Sequence, residues 1–161
     1  MEYHTLVQPK SLHDILYKMT KNIQGTLCRR GVLCWIDGGS LLGAVRHGGI
    51  IPHDDDVDLG VMLFDRDKVR ATAAKIATRY NYTFTETDDG IIKLIFSTKI
   101  NGRYPTVDIF TWVHLTDGKI ELSSPLFQKM WPNCRHAEAD FHRLIEYKFG
   151  PIVVLGPKNP K

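Results

Sequence analysis

IDGGSLLGAVRHGGIIPHDDDVDLG, residues 36–60, holds two signals from which the rest of the chain can be read. The first is Asp37-Gly38-Gly39-Ser40, a turn placed ahead of LLGAVR, which can form a short helix with Ser40 near its N-terminus. Glycines there allow close backbone approach, and the first-turn amides, a hydroxyl and the positive end of the helix dipole together suit a phosphate. The same residues also serve as a plain strand-to-helix connection. The second signal is the run of Asp54, Asp55, Asp56 and Asp58, opening VDLGVMLF, in which Val57, Leu59, Val61 and Leu63 alternate with Asp58, Gly60 and Met62. This period places Asp56 and Asp58 on one face of a strand and Val57 on the other. Two like charges about 4 Å apart repel by roughly 4 kcal/mol at an effective dielectric near 20, so the pair is costly without a cation. An all-oxygen cluster suits Mg²⁺ or Mn²⁺ better than zinc or copper.

Working outward, Leu12, Ile15, Leu16, Met19, Ile23 and Leu27 recur at helical spacing between Ser11 and Arg30, with Ser11 and Asp14 as a capping box and Gly31 as the stop. VLCWI, residues 32–36, is a short apolar run of β-formers and is read as a buried strand. Residues 65–80 form a second amphipathic helix on Val69, Ala73, Ile76, Ala77 and Tyr80. YTFTET and IIKLIFS flank Asp88-Asp89-Gly90 as a hairpin, and RYPTVDIFTWVHL, a turn at Asp117-Gly118 and KIEL continue the strands. The pattern weakens after Ser123 until EYKF, Gly150-Pro151 and IVVL suggest a last hairpin. This order predicts an α+β fold, helices packed on a mixed β-sheet.

Asp108 is the acid in the otherwise apolar strand PTVDIF, expensive there unless it binds a metal or pairs with a Lys or Arg. It is the candidate third carboxylate. Lys93, between Ile92 and Leu94, projects opposite to both, either into the cleft or to solvent. Arg46 with His47 offers a forked donor for a pyrophosphate, or is merely a helix-end cation. Trp35 is read as core more readily than as a base-stacking ring, and Trp112, Trp131, the methionines and Cys28 as packing.

With 161 residues, 43% hydrophobic and 24% charged, the chain is expected to be one domain, residues 1–161, burying roughly two-thirds of its unfolded surface. Disordered, collagen-like and low-complexity classes are excluded. No apolar run approaches the roughly 18 residues that span a bilayer, and MEYHTLVQPKSLHD lacks the pattern of a secretory leader, so a cytoplasmic location is expected. The net charge of +3 is too diffuse for a nucleic-acid binder. Cys28, Cys34 and Cys134 are expected to be reduced; with His136 they would make four soft ligands, but at spacings unlike those of a zinc knuckle.

WIDGGSLLGAVRHGGIIPHDDDVDLG, residues 35–60, followed by KLIFS and VDIF, resembles the core signature of the LicD family of phosphotransferases, to which bacterial phosphocholine transferases, fukutin and fukutin-related protein belong. The resemblance implies a nucleotidyltransferase-like fold. It implies transfer of an alcohol phosphate, phosphocholine- or ribitol-phosphate-like, from a CDP-activated donor to a glycan hydroxyl, with a divalent metal. By position, Asp54, Asp56, Asp58 and Asp108 would be metal ligands, with Asp56, Asp58 and Asp108 catalytic. Gly38, Gly39, Ser40 and Arg46 would contact the donor's phosphates. Transfer of a nucleotidyl group to a small acceptor, and a domain that binds nucleotide or glycan without turnover, are the alternatives. Gly-Gly-Ser stands where many members have Gly-Thr, and His53 where a Trp is common. The sequence stops at Lys161, ahead of a Tyr-Leu and Tyr-Gly segment of relatives, so a shortened catalytic core is expected.

Overall fold

The computed structural model describes residues 7–160. Its first element, α1 (Lys10–Arg29), buries Leu12, Leu16, Met19, Ile23 and Leu27, the stripe that the spacing predicts. The capping box does not form: Pro9 occupies the cap position, and the Asp14 carboxylate accepts from Lys10 Nζ at 2.7 Å instead. Gln24 lies on the same buried stripe. Its amide donates to the Cys34 and Leu155 carbonyls and its oxygen accepts from Leu155 N–H, so the helix is bonded to two strands through one satisfied polar side chain.

The elements that follow are β1 (Cys34–Ile36), α2 (Gly38–His47), β2 (Asp56–Met62), α3 (Arg66–Tyr80), β3 (Thr83–Glu86), β4 (Ile92–Ile95), β5 (Thr106–His114) and β6 (Lys119–Leu122). α4 (Pro125–Met130), β7 (Arg135–Ala137), β8 (Ile145–Phe149) and β9 (Ile152–Gly156) complete the described chain. The fold is α+β with a mixed sheet, in the order β1-β2-β5-β4-β3, to which β6 and β7 add beyond β5. β2 and β5 run parallel, while the remaining pairs are antiparallel. The hairpin β8–β9 forms its own two-stranded sheet.

Three boundaries differ from the sequence reading. β1 is shorter than residues 32–36, α2 begins at Gly38 rather than Leu41, and Leu63–Asp65 is a 3₁₀ turn rather than the end of a strand. The α2 shift has a clear cause: Asp37 is the N-cap, its side chain accepting from Gly38 N–H.

The sheet separates two apolar clusters. Val57, Leu59, Val61, Val107 and Ile109 face α1 and α3, whereas Trp35, Met62, Trp112, Ile120, Leu122, Phe127 and Phe141 make up the second cluster. Period-two alternation therefore puts Asp56, Asp58, Gly60 and Met62 on the face that also carries Trp35. Gly60 is required there, since a Cβ would lie 2.3 Å from Trp35 Nε1. Trp35 is fully buried, in agreement with its reading as core. Among the described residues no helix is long and apolar enough to cross a membrane.

Candidate active site

β2 and β5 lie in a register that sets Asp58 directly opposite Asp108, and Asp56 opposite Thr106. Parallel pairing keeps opposed residues on one face, so three acids from two strands converge. One oxygen each from Asp56, Asp58 and Asp108 can be chosen so that all lie within 4.8 Å of one another. Asp108 is only 6% exposed, which makes its charge expensive without a partner. The partner is Lys93, opposite Asp108 on β4, whose Nζ donates to both carboxylate oxygens at 2.9 and 2.8 Å. Both sequence readings of Asp108 thus meet at one place: it joins the acidic group and is salt-bridged by Lys93.

The electrostatics show a shortage of positive charge. Burial, with the Asp56, Asp108, Asp37 and Asp54 charges adding to it, pushes the Asp58 carboxyl up to about 8. Asp56 rises to about 6, mainly by burial, then by repulsion from Asp108, Asp55 and Asp54, with Lys93 opposing. Burial also raises Asp108, although Lys93 pulls it down. Three crowded oxygen donors that resist ionisation match what a small hard divalent cation requires, so the trio could hold a metal ion of the Mg²⁺ or Mn²⁺ type.

α2 points its N-terminus at this group. Asp37 Oδ1 accepts from Gly38 N–H at 2.9 Å, and Oδ2 from Trp112 Nε1 at 2.8 Å. Its own N–H donates to the Asp58 carbonyl at 3.0 Å. One buried acid thereby fastens the helix start to both carboxylate strands, and burial lifts it to about 6. Gly38 adopts φ +50° and a Cβ there would stand 3.1 Å from Asp58 Oδ2, so glycine is what permits the close approach. A Cβ at Gly39 would stand 3.5 Å from Asp54 Oδ2.

The other residues singled out in the sequence take the following places. The Ser40 hydroxyl is buried and accepts from Asp58 N–H at 2.8 Å, so it braces the carboxylate strand. Arg46 is exposed in the last turn of α2, eight residues beyond Gly38 and so roughly 12 Å along the helix axis from the acids. Asp54 lies outside the trio. Its carbonyl is 2.8 Å from His13 Nε2 and its carboxylate 3.6 Å from His53 Nε2, so it contributes charge from the side of Gly39. Asp55 pairs with Arg103 at 2.5 Å. The soft-ligand alternative fails, because Cys34 belongs to the cluster under α1 while Cys134 packs against the other.

Sequence reasoning missed the cleft beside the acids, about 600 Å³ in volume, running from Gly38, Gly39 and Asp58 to Phe110, Trp112 and Trp131. Trp131 is 47% exposed and stacks on Phe127 with ring centroids 5.6 Å apart, so it is a rim residue rather than simple packing. Its volume lies in the range of small-molecule sites. No periodicity in residues 124–141 announces it, since these residues act through an irregular path that only the fold closes.

Residues 31–159 match the family described as LicD/FKTN/FKRP, nucleotidyltransferase domain. The chain belongs to the LicD family. Similar sequences include an uncharacterized protein of Rickettsia prowazekii, 32% identical over 146 residues, 90% of this chain and 50% of that protein. Ribitol 5-phosphate transferase FKRP of Homo sapiens is 31% identical over 165 residues, covering 90% of this chain and 33% of its own length. The chain thus spans half or less of these relatives. Among solved structures, the antibiotic-resistance factor ANT(2'')-Ia aligns with 69% of this chain and 54% of its own, at TM-score 0.49 and 19% identity.

Proposed function

We propose that this chain is a metal-dependent phosphotransferase that moves an alcohol phosphate from a CDP-activated donor to a glycan hydroxyl. The observation that carries the reading is the convergence of Asp56, Asp58 and Asp108 within 4.8 Å, in a family whose member FKRP bears the name ribitol 5-phosphate transferase. Asp56, Asp58 and Asp108 would hold Mg²⁺ or Mn²⁺, which when bound neutralises the donor's pyrophosphate and the departing CMP. Asp37 fixes α2 so that its N-terminus, which would favour a donor phosphate, faces the same place, and Gly38 lets it come close to Asp58. In the transfer, the acceptor oxygen forms a bond to the phosphorus of the alcohol phosphate while that phosphorus loses its bond to CMP, and the hydroxyl proton leaves to solvent. Asp108, whose two oxygens accept from Lys93, would hold the cation together with Asp56 and Asp58. The chemistry is mostly positioning and charge neutralisation, which rigid strands supply.

Nucleotidyl transfer is the second reading, because the same acids serve whichever phosphorus is attacked and the family description names a nucleotidyltransferase domain. The products separate the two. Incubation with CDP-ribitol or CDP-choline, a phosphoglycan acceptor and Mn²⁺ should release CMP and form a phosphodiester, and Asp56→Ala with Asp58→Ala should abolish both. Pyrophosphate release from a nucleoside triphosphate with a nucleotidylated acceptor would replace this reading with the second. Binding of CDP without any product would leave a binding domain.

A further inference from the structure

Lys93, Asp108 and Asp58 form a row across three strands, since Lys93 is paired with Asp108 between β4 and β5, and Asp108 with Asp58 between β5 and β2. Directly opposed residues share a face, so the Lys93 backbone lies on the far side of Asp108 from Asp58, one strand spacing away, and its side chain reaches back to Asp108. Lys93 Nζ bonds both Asp108 oxygens, at 2.9 and 2.8 Å, leaving that carboxylate about half of its lone-pair positions for other partners. Centres with two metal ions keep them about 3.5–4 Å apart and share carboxylates between them. Here the Asp108 end of the acidic group already carries a cation, covalently attached. Charge points the same way: the ammonium already supplies positive charge at Asp108, and a second divalent ion on that carboxylate would stand against it at close range.

We propose that Lys93 is the centre's resident second cation, a positioning residue that makes this a site for one divalent ion rather than two. The inference rests on the reading of Asp56, Asp58 and Asp108 as a metal centre. Lys93 also competes with the ion for the Asp108 oxygens, so the position sets affinity as well as stoichiometry.

The test is a Mn²⁺ titration followed by electron paramagnetic resonance, with Mn²⁺ alone and again with CDP. The wild-type chain and Lys93→Arg should each bind one uncoupled Mn²⁺. Lys93→Gln should bind its first Mn²⁺ about tenfold more tightly, as expected when a competing cation is removed, and should then take up a second that is spin-coupled to it. A coupled pair in the wild type, or a single ion in a folded Lys93→Gln chain, would overturn the proposal while leaving the metal centre intact. Absence of any Mn²⁺ binding by the wild type would overturn the metal centre itself, and this proposal with it. The wild-type stoichiometry decides the matter even if Lys93→Gln does not fold.

Discussion

Replacing Asp58 by Asn should stabilise the metal-free fold while removing a metal ligand. In the unfolded chain an aspartate titrates near about 3.9, and in the fold Asp58 rises to about 8 because burial and the neighbouring acids oppose its charge. The folded state therefore binds the proton more tightly, so stability from this group is complete below about pH 4 and is lost as pH rises towards about 8. At pH 7 the span from the unfolded value is about 3 pH units, or roughly 4 kcal/mol at 1.36 kcal/mol per unit. Solvent at the cleft mouth and the cost of burying a carboxamide reduce the recoverable part to about 1–3 kcal/mol. At about 2–4 °C per kcal/mol this raises Tm by roughly 2–12 °C. Thermal unfolding in EDTA, at intervals from pH 5 to pH 8, measures it. The gain of Asp58→Asn over wild type should be small at pH 5 and grow to its full value at pH 8. Added Mg²⁺ should raise the wild-type Tm and leave that of the variant almost unchanged. A gain that does not grow with pH, or a lower Tm for Asp58→Asn at pH 8, would refute the argument from crowded charge.

Gly60→Ala should cost about 3 kcal/mol in urea denaturation, because its Cβ would stand 2.3 Å from Trp35 Nε1 in a side chain that is fully buried. Arg46→Ala should leave the KM for a CDP-activated donor within about twofold of wild type in steady-state assays, since about eight helical residues separate it from the acids. A much larger rise in KM would support its assignment to the donor's phosphates. Asp54→Ala should weaken Mn²⁺ binding by no more than about tenfold, while Asp56→Ala should weaken it by more than about 100-fold, as read by calorimetry, because Asp56 belongs to the converging trio and Asp54 does not.

The parts of the molecule that follow a local rule could be read from the chain. α1, α3 and the hairpin β3–β4 obey apolar periods and turn chemistry, and Asp56 and Asp58 share a face because strand residues alternate. Asp108 was legible for a different reason, as an unexplained charge among apolar neighbours. What could not be read depends on register between distant strands. That Lys93 meets Asp108 follows from the pairing of β4 with β5, and that Ser40 turns inward follows from α2 settling on β2. Asp37 carries a signal in hindsight, an acid directly ahead of Gly-Gly, but its bond to Trp112 spans 75 residues. Ser40 and Arg46 lie near opposite ends of α2, and a helix separates its two ends in space as surely as it joins them in sequence.

The central claim is that three carboxylates on two parallel strands hold the divalent ion of the transfer reaction. Crystals of this chain grown with Mn²⁺ and CDP, with diffraction recorded at the manganese absorption edge, test it most directly. The account predicts an anomalous peak about 2.0–2.3 Å from one oxygen each of Asp56, Asp58 and Asp108, with nucleotide phosphate density reaching it from the α2 side. A manganese peak away from these residues, or ordered CDP with no peak between them, would contradict it.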